Sequence, residues 1–214
     1  MERENLPELL TGWVEIQLGD IVYPSDEKVD PLAIQEIPYI GLEHIEKDTG
    51  KLLGIGKSNE VRSTKSKFYS GDLLYGKLRP YLNKVYLANF DGVCSTDILV
   101  FSKNSHISND YLAFRFLCRD FVSYASQNVN GVQHPRVNFQ TLAEFPIALP
   151  PLNEQRRIVA KIEALKARSQ QVKEALEAIP PLLDQFRQSV LAAAFRGDLT
   201  ADWREKNPDV EPAS

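Results

Sequence analysis

The sequence has little of what secreted or membrane proteins need. It contains two cysteines, Cys94 and Cys118, and no CxxC pair, so a disulfide framework is not expected. No apolar run reaches the roughly 18 residues that suggest a membrane span. The start MERENLPELL is acidic and lacks the basic and apolar regions of a signal peptide. These absences predict a reduced cytoplasmic protein that does not enter a membrane.

Signatures of catalysis are also missing. GIGKS at 54–58 ends like a phosphate-binding loop, but the first glycine of that motif would fall on Lys51. Neither Pro150-Pro151 nor Pro180-Pro181 has the Asn/Asp-Pro-Pro-aromatic context of an exocyclic-amine methyltransferase. No cysteine or carboxylate stands at metal-ligand spacing from the three histidines, His44, His106 and His134. The sequence therefore predicts a chain without a catalytic site, metal or cofactor, and a nuclease or methyltransferase with an unrecognised site is the weakest alternative.

Acidic side chains slightly outnumber basic ones, 29 to 25, but the basic ones are concentrated in one region. The formal net charge is -4, and residues 1–56 hold 12 acidic and 4 basic side chains. Residues 57–84 reverse this balance with two acids and seven bases. The seven bases are Lys57, Arg62, Lys65, Lys67, Lys77, Arg79 and Lys84. A local excess of this kind suits a polyanionic partner, and a solvated basic face is the plain alternative.

Two segments have side chains suited to DNA. YGKLRPYLNKVY at 75–86 interleaves lysine and arginine with tyrosines, including Tyr81, around a stiff Arg79-Pro80 turn. A polar loop near position 135 adds four hydrogen-bonding side chains, Gln133, His134, Arg136 and Asn138. A strand pair with core tyrosines and a surface loop without function are the alternatives for the two segments.

Periodicity predicts a mixed α+β head. GWVEIQLGDIV at 12–22 and IPYIGLEHI at 37–45 alternate as strands do, and FPIALPP at 145–151 indicates a further strand. The segment 84–101 suggests two strands joined by a tight Asp91-Gly92 turn. Helical spacing covers 109–127, with Asn109 as its cap, and a short helix or turn is expected at 139–144.

A long helical region follows the head. From Ile158, apolar residues recur at alternating gaps of four and three, the period of a coiled-coil seam. Asn153 is the expected helix cap, Gly197 the expected stop, and Pro180-Pro181 must kink or break the helix. The predicted interface residues are Ile158, Ile162, Leu165, Val172, Leu176, Ile179, Leu183, Phe186 and Val190.

Four stretches resemble the specificity subunit of type I restriction-modification systems. They are YIGLEHIEKDTGKL (39–52), GDLLYGKLRPYLNKVYLANFDGVCSTDILVF (71–101), FPIALPPLNEQRRIVAKIE (145–163) and FRQSVLAAAFRGDLTADWR (186–204). The resemblance implies a globular α+β target recognition domain over 1–151, a helical conserved region over 152–197 and a connector over 198–214. It implies that the head reads one half of a bipartite double-stranded DNA site. A full subunit carries two such units, so a half-subunit or part of a longer one is expected.

The resemblance also implies partners. The helices would hold modification subunits, which supply S-adenosylmethionine and methylate adenine, and a restriction subunit can join. This non-catalytic specificity role is the leading hypothesis. A coiled-coil interaction module whose head binds protein is the alternative.

Charges beside the helical seam limit how two copies can pair. Bases occupy both flanks, so overlapping parallel or antiparallel seams would each set like charges together. The flanking bases are Lys161, Lys166, Arg168, Lys173 and Arg187. The acids Glu163, Glu177 and Asp184 lie one step further round. We expect a kinked, head-to-tail antiparallel homodimer with a broad contact, or docking on a second conserved region.

Overall fold

The computed structural model describes residues 10–33 and 35–209. These described residues form two compact units, which divide between Ala160 and Lys161. The first unit is mixed α and β and the second is helical, which confirms the predicted α+β class. In the described part of the chain, no helix is both long enough and apolar enough to cross a membrane.

The strands of the first unit form three sheets. They are β1 Val14–Gln17, β2 Lys28–Val29, β3 Pro38–Ile40, β4 Gly56–Lys57, β5 Lys65–Phe68, β6 Leu73–Gly76, β7 Val85–Leu87, β8 Gly92–Cys94, β9 Ile98–Phe101 and β10 Pro146–Leu149. β1 pairs with β10, five strands follow the order β2-β5-β8-β3-β4, and three follow β7-β6-β9. The pairing of β3 with β8 is parallel and the others are antiparallel.

The helices are α1 Asn109–Phe116, α2 Arg119–Gln127, α3 Phe139–Ala143, α4 Leu152–Glu177, α5 Ile179–Arg196 and α6 Ala201–Lys206. The helices α1 to α3 lie in the first unit, α4 crosses the boundary at residue 160, and α5 and α6 lie in the second unit. Short 3-10 turns occur at Leu18–Asp20, Pro31–Ala33, Leu42–His44, Ser58–Glu60, Pro80–Leu82 and Asp198–Thr200.

Aromatic packing organises the larger of two apolar clusters in the first unit. Tyr75 of β6 and Phe101 of β9 are fully buried, and both contact Phe116 of α1 edge-on. Phe116 stacks on Phe121 of α2 with ring centroids 4.2 Å apart. Such rings bury large apolar areas, so they fix the helices against the sheet that leads into the basic segment.

Two strands that are far apart in the sequence of the first unit, β1 and β10, pair with each other. Each was predicted as a strand, and their register is Val14↔Leu149 and Ile16↔Ile147. Just beyond, Gln155 is fully buried in the first turn of α4. Its amide accepts from the Ser108 main chain at 2.8 Å and donates to the Pro150 carbonyl at 2.9 Å. A satisfied buried amide of this kind holds the helix start in one place.

The predicted Asp91-Gly92 hairpin is wrong. β7 lies in the three-stranded sheet, whereas β8, which begins at Gly92, pairs with β5 in another sheet. Glycine is required here for close approach, because an added Cβ would lie 2.6 Å from the Pro38 carbonyl oxygen. The Asp91 carboxylate instead accepts from the main-chain amide of Ser70 at 2.7 Å.

The predicted helix at 109–127 is two helices, interrupted at Leu117-Cys118. Ser108 occupies the cap position, and Asn109 is the first helical residue. The Asn109 side chain donates to the carbonyls of Gly71 and Phe101, both at 2.9 Å, which ties the helix to the sheet. The short helix predicted at 139–144 is confirmed as α3.

The described part of the second unit contains the C-terminal part of α4, then α5, a 3-10 turn and α6. The interruption predicted at Pro180-Pro181 is confirmed, since the prolines stand in the first turn of α5, where a missing amide is tolerated. Gly197 ends α5 with φ 81°, as predicted. The predicted cap at Asn153 is wrong by position, because α4 already begins at Leu152.

Candidate nucleic-acid interface

Two segments that are distant in sequence are joined by main-chain hydrogen bonds. The amide of Arg79 donates to the Pro135 carbonyl at 2.7 Å, and the amide of Val137 donates to the Lys77 carbonyl at 3.0 Å. Leu78 and Arg136 form an isolated antiparallel bridge between these bonds. The basic turn after β6 and the loop before α3 are therefore one surface, which we call the 77–81/130–138 surface.

The loop on this surface is a closed turn. Asn130 and Arg136 exchange two main-chain hydrogen bonds of 2.8 and 2.9 Å, so residues 131–135 form a tip between them. Gly131 has φ 86°, a conformation that favours glycine. At the tip Val132 is 99% exposed, and Gln133 and His134 are exposed as well. The tip therefore presents its side chains to solvent while its base is held.

The basic turn is held in an unusual conformation. Arg79 has φ 52° and is exposed, and the buried Pro80 follows it. Non-glycine residues in this region cost free energy and are frequent at ligand-binding sites. Next to them Tyr81 is 52% exposed. The turn thus offers a cation and a phenol from a fixed backbone.

Arg136 is paired with a residue that the sequence did not single out. Its Nε donates to Asp97 Oδ1 at 2.9 Å and its Nη2 donates to Oδ2 at 3.1 Å. This hydrogen bonding lowers the pKa of the Asp97 carboxyl, and the nearby charges of Lys77 and His134 act in the same direction. The carboxylate therefore lies within the cationic surface and stays ionised at neutral pH.

A cleft of about 320 Å³ opens beside this pair. Its lining combines apolar and polar side chains, among them Lys77, Leu99, Asn130, Arg136, Phe139 and Gln140. The predicted DNA residue Asn138 also lines it, and its side chain caps α3 by accepting from the Thr141 amide at 2.8 Å. Asn138 is therefore partly committed to the fold.

Two predicted DNA-contacting lysines are engaged inside the first unit. Lys84 Nζ donates to the carbonyls of Leu42 and Ile45 at 2.6 and 2.8 Å, and partial burial lowers its pKa. Lys65 is 5% exposed, and its Nζ donates to Ser63. These ammonium groups complete the hydrogen bonds of neighbouring carbonyls, which makes them poorly placed for a polyanion.

The remaining bases of the region are more open. Lys57 pairs with Glu36 at 3.0 Å and Lys67 with Glu27 at 3.2 Å, both as solvent-accessible ion pairs. Arg62 is exposed between β4 and β5. None of the main-chain bonds that build the 77–81/130–138 surface involves these residues. Exposed pairs of this kind contribute little to stability.

Asp97 and Asn130 are functional candidates that sequence reasoning missed. Asp97 lies between β8 and β9, and its pairing with Arg136 links residues far apart in the chain. Asn130 closes the loop through its main chain, which is independent of side-chain type. The one sequence feature that could have pointed to Asp97 is its position directly before the strand β9.

The predicted helical interface is largely uncovered. Seven of its residues are between 37% and 65% exposed, namely Leu165, Val172, Leu176, Ile179, Leu183, Phe186 and Val190. Ile162 is half-buried. Ile158 packs against the aromatic core of the first unit, so it serves that core. The stripe from Leu165 to Val190 is apolar surface of the kind that partners cover.

The sequence is similar to those of known proteins. The protein-family model described as the type I restriction modification DNA specificity domain matches residues 11–179. The chain is 35% identical over 209 residues to the type I restriction enzyme EcoDI specificity subunit of Escherichia coli, covering 97% of this chain and 47% of that protein.

Solved structures are also similar to this chain. The HsdS subunit from Thermoanaerobacter tengcongensis is similar with a TM-score of 0.72 and 29% identity, over 86% of this chain and 49% of that one. A structure described as the structural basis underlying complex assembly and conformational transition of the type I R-M system matches with the same TM-score at 26% identity. It covers 87% of this chain and 50% of its own. The chain spans about half the length of each of these relatives.

Proposed function

The chain belongs to the type I restriction-modification DNA specificity family, and from that membership we propose that it reads one half of a bipartite double-stranded DNA site. In this proposal it has no catalytic role and directs a methyltransferase, and where present a restriction enzyme, to that site. The alternative, a head that binds protein, finds no support among the relatives.

The joined 77–81/130–138 surface carries the proposal. It brings basic side chains and a polar, solvent-exposed loop onto one backbone-bonded platform. DNA readers need both kinds of group, because contacts to phosphate set position and contacts to base edges set sequence preference. Main-chain bonds between the segments fix the spacing of the two kinds of contact before DNA arrives.

We assign roles within this surface by charge and exposure. Lys77 and Arg79 contact phosphates, with Tyr81 beside them, and the loop residues Gln133, His134 and Arg136 face the base edges. Lys57, Arg62 and Lys67 are outer phosphate contacts that add long-range attraction. Lys65 and Lys84 are left out of the contact set because they bond within the first unit.

The exposed stripe on α4 and α5 is proposed as the assembly surface. It packs against a second copy in a head-to-tail, two-fold arrangement, or against a second conserved region, and modification subunits dock around it. Two-fold symmetry in the protein matches paired half-sites in DNA. Those subunits supply S-adenosylmethionine, since the proposal gives this chain no cofactor of its own. Assembly is also the subject of the structure similar at 26% identity.

The test is DNA selection with the purified chain and its modification subunit. A pool of duplexes carrying randomised positions is bound, recovered and sequenced at two salt concentrations. Enrichment of a defined half-site, with binding that weakens as salt rises, is expected. Binding that depends on salt but enriches no sequence would contradict a role in specificity.

A further inference from the structure

The pair of Arg136 and Asp97 leaves part of the arginine available. Asp97 takes the Nε and Nη2 hydrogens along one edge of the guanidinium group. A guanidinium has five N–H donors, so the end edge formed by Nη1 and Nη2 still presents a fork of two. The Arg136 side chain is 45% exposed and that of Asp97 is 26% exposed. The second fork is therefore within reach of a ligand.

Both members of the pair are fixed through their main chains. The Asp97 amide donates to Ser95 Oγ at 3.2 Å, and the Asp97 carbonyl accepts from the Lys77 amide at 2.9 Å. Arg136 exchanges two main-chain bonds with Asn130. An arginine held at its backbone and along one edge loses less side-chain entropy when the other edge binds.

The pairing also makes Arg136 a poor phosphate contact. Phosphate attraction depends on net positive charge, and the ionised carboxylate of Asp97 offsets the charge of the guanidinium. A carboxylate on a DNA-facing surface also repels the phosphates of the DNA backbone. The pair instead holds the remaining N–H donors of Arg136 in a fixed direction, and hydrogen bonds to base edges depend on that direction.

We infer that Arg136 reads a guanine through its free end fork and that Asp97 is the positioning residue that orients it, an inference that rests on the proposed function. Guanine presents two acceptors in the major groove, O6 and N7, which match two parallel donors. Adenine presents one acceptor and one donor there, so it opposes the same fork.

Selection from the randomised duplex pool, with the 214-residue chain and its modification subunit, tests the inference. The unaltered chain is expected to enrich G·C at one position of its half-site. In Asp97→Asn the preference at that position falls by about tenfold, because the amide holds the guanidinium less firmly. Because Asp97→Asn also removes the carboxylate that offsets the charge of Arg136, overall affinity and its salt dependence should not fall together with the base preference.

A second variant keeps the test decisive if Asp97→Asn fails to fold. Arg136→Met keeps a long, unbranched side chain but removes every hydrogen-bond donor, so it loses the same preference. Folding of each variant is checked by thermal unfolding. A guanine preference that survives in folded Arg136→Met would overturn the assignment.

Arg115 and Asp120 provide a matched control. They also form a bidentate pair, between α1 and α2, but through the Nη1 and Nη2 edge of the arginine, at 2.7 and 2.6 Å. Asp120→Asn is expected to lower stability without moving the base preference. Equal changes in Asp97→Asn and Asp120→Asn, or none in Asp97→Asn, would overturn the inference while leaving the proposed function standing. A chain that enriches no sequence would overturn both.

Discussion

The main-chain amide of Arg79 lies 2.7 Å from the carbonyl oxygen of Pro135 and donates to it. This bond joins the basic turn to the polar loop, although no sequence pattern links them. Because both segments share one backbone frame, contacts to phosphates and to bases are set at a fixed spacing. Substitutions can therefore distinguish residues that contact phosphates or bases from residues that only stabilise the fold.

Lys77 and Arg79 are predicted to neutralise one phosphate each. Replacing either by alanine should lower the slope of log affinity against log salt by roughly 1, with base preference unchanged. Binding isotherms at several salt concentrations measure this. Slopes equal to that of the unaltered chain in both variants would remove the assignment.

Lys84 is predicted to stabilise the fold instead. Its ammonium group donates to the carbonyls of Leu42 and Ile45, so Lys84→Met removes one hydrogen bond from each, although the Leu42 carbonyl still accepts from the Ile45 amide at 3.3 Å. The free energy of unfolding should fall by about 1–2 kcal/mol, while the salt slope stays constant. Denaturant unfolding and salt titration of the same variant decide between the two roles. A changed slope with unchanged stability would return Lys84 to the DNA contacts.

The exposed tip residues Gln133 and His134 are predicted to read bases. Alanine at either position should cost about 1–3 kcal/mol of discrimination between the preferred half-site and a single-base variant. Val132→Ala, at the 99% exposed neighbouring position, is the control for disturbing the tip. Weakening that is uniform across sequences would instead make Gln133 and His134 phosphate contacts.

The ion pair of Asp97 and Arg136 predicts a pH dependence. Hydrogen bonding to Arg136 lowers the folded-state pKa of Asp97 below its unfolded value of about 3.9. Its contribution to stability is therefore fully present above about pH 4 and is lost as the pH falls through the folded-state pKa. The difference in unfolding free energy between the unaltered chain and Asp97→Asn should shrink on acidification below about pH 4. A difference that grows there would contradict the pairing.

Two phenylalanines of α5 test the assembly surface. Phe186 lies on the predicted stripe, and Phe195 is nine residues away, which at about 100° per residue places it on the opposite face. Both are exposed, at 65% and 91%. Phe186→Ser should shift sedimentation toward the monomer, and Phe195→Ser should leave self-association unchanged. A chain that is monomeric at high micromolar concentration before any substitution would contradict the homodimer.

Local chemistry made part of this fold predictable. The alternating residues of β1, the apolar stripe of α4 and α5, and the glycine stop at Gly197 each depend on near neighbours in sequence. The helix break at Pro180-Pro181 follows from the chemistry of proline alone.

Long-range pairing was not predictable in the same way. Gly92 looked like a turn residue, but it is needed where Pro38 approaches from another strand. Lys84 was predicted to contact phosphate, but its ammonium group donates to the carbonyls of Leu42 and Ile45, which are distant in sequence. Asp97 was overlooked because its partner is remote in the chain. Each depends on which strands and loops meet, which composition and periodicity do not encode.

The most direct test of base reading by the 77–81/130–138 surface is a map of methylated adenines in a host that carries this chain and its modification subunit. The unaltered chain is predicted to direct methylation to one bipartite motif. A chain with Gln133→Ala, His134→Ala and Arg136→Ala together should lose or change the half of that motif which it reads. An identical motif from the folded triple variant would show that sequence is read elsewhere.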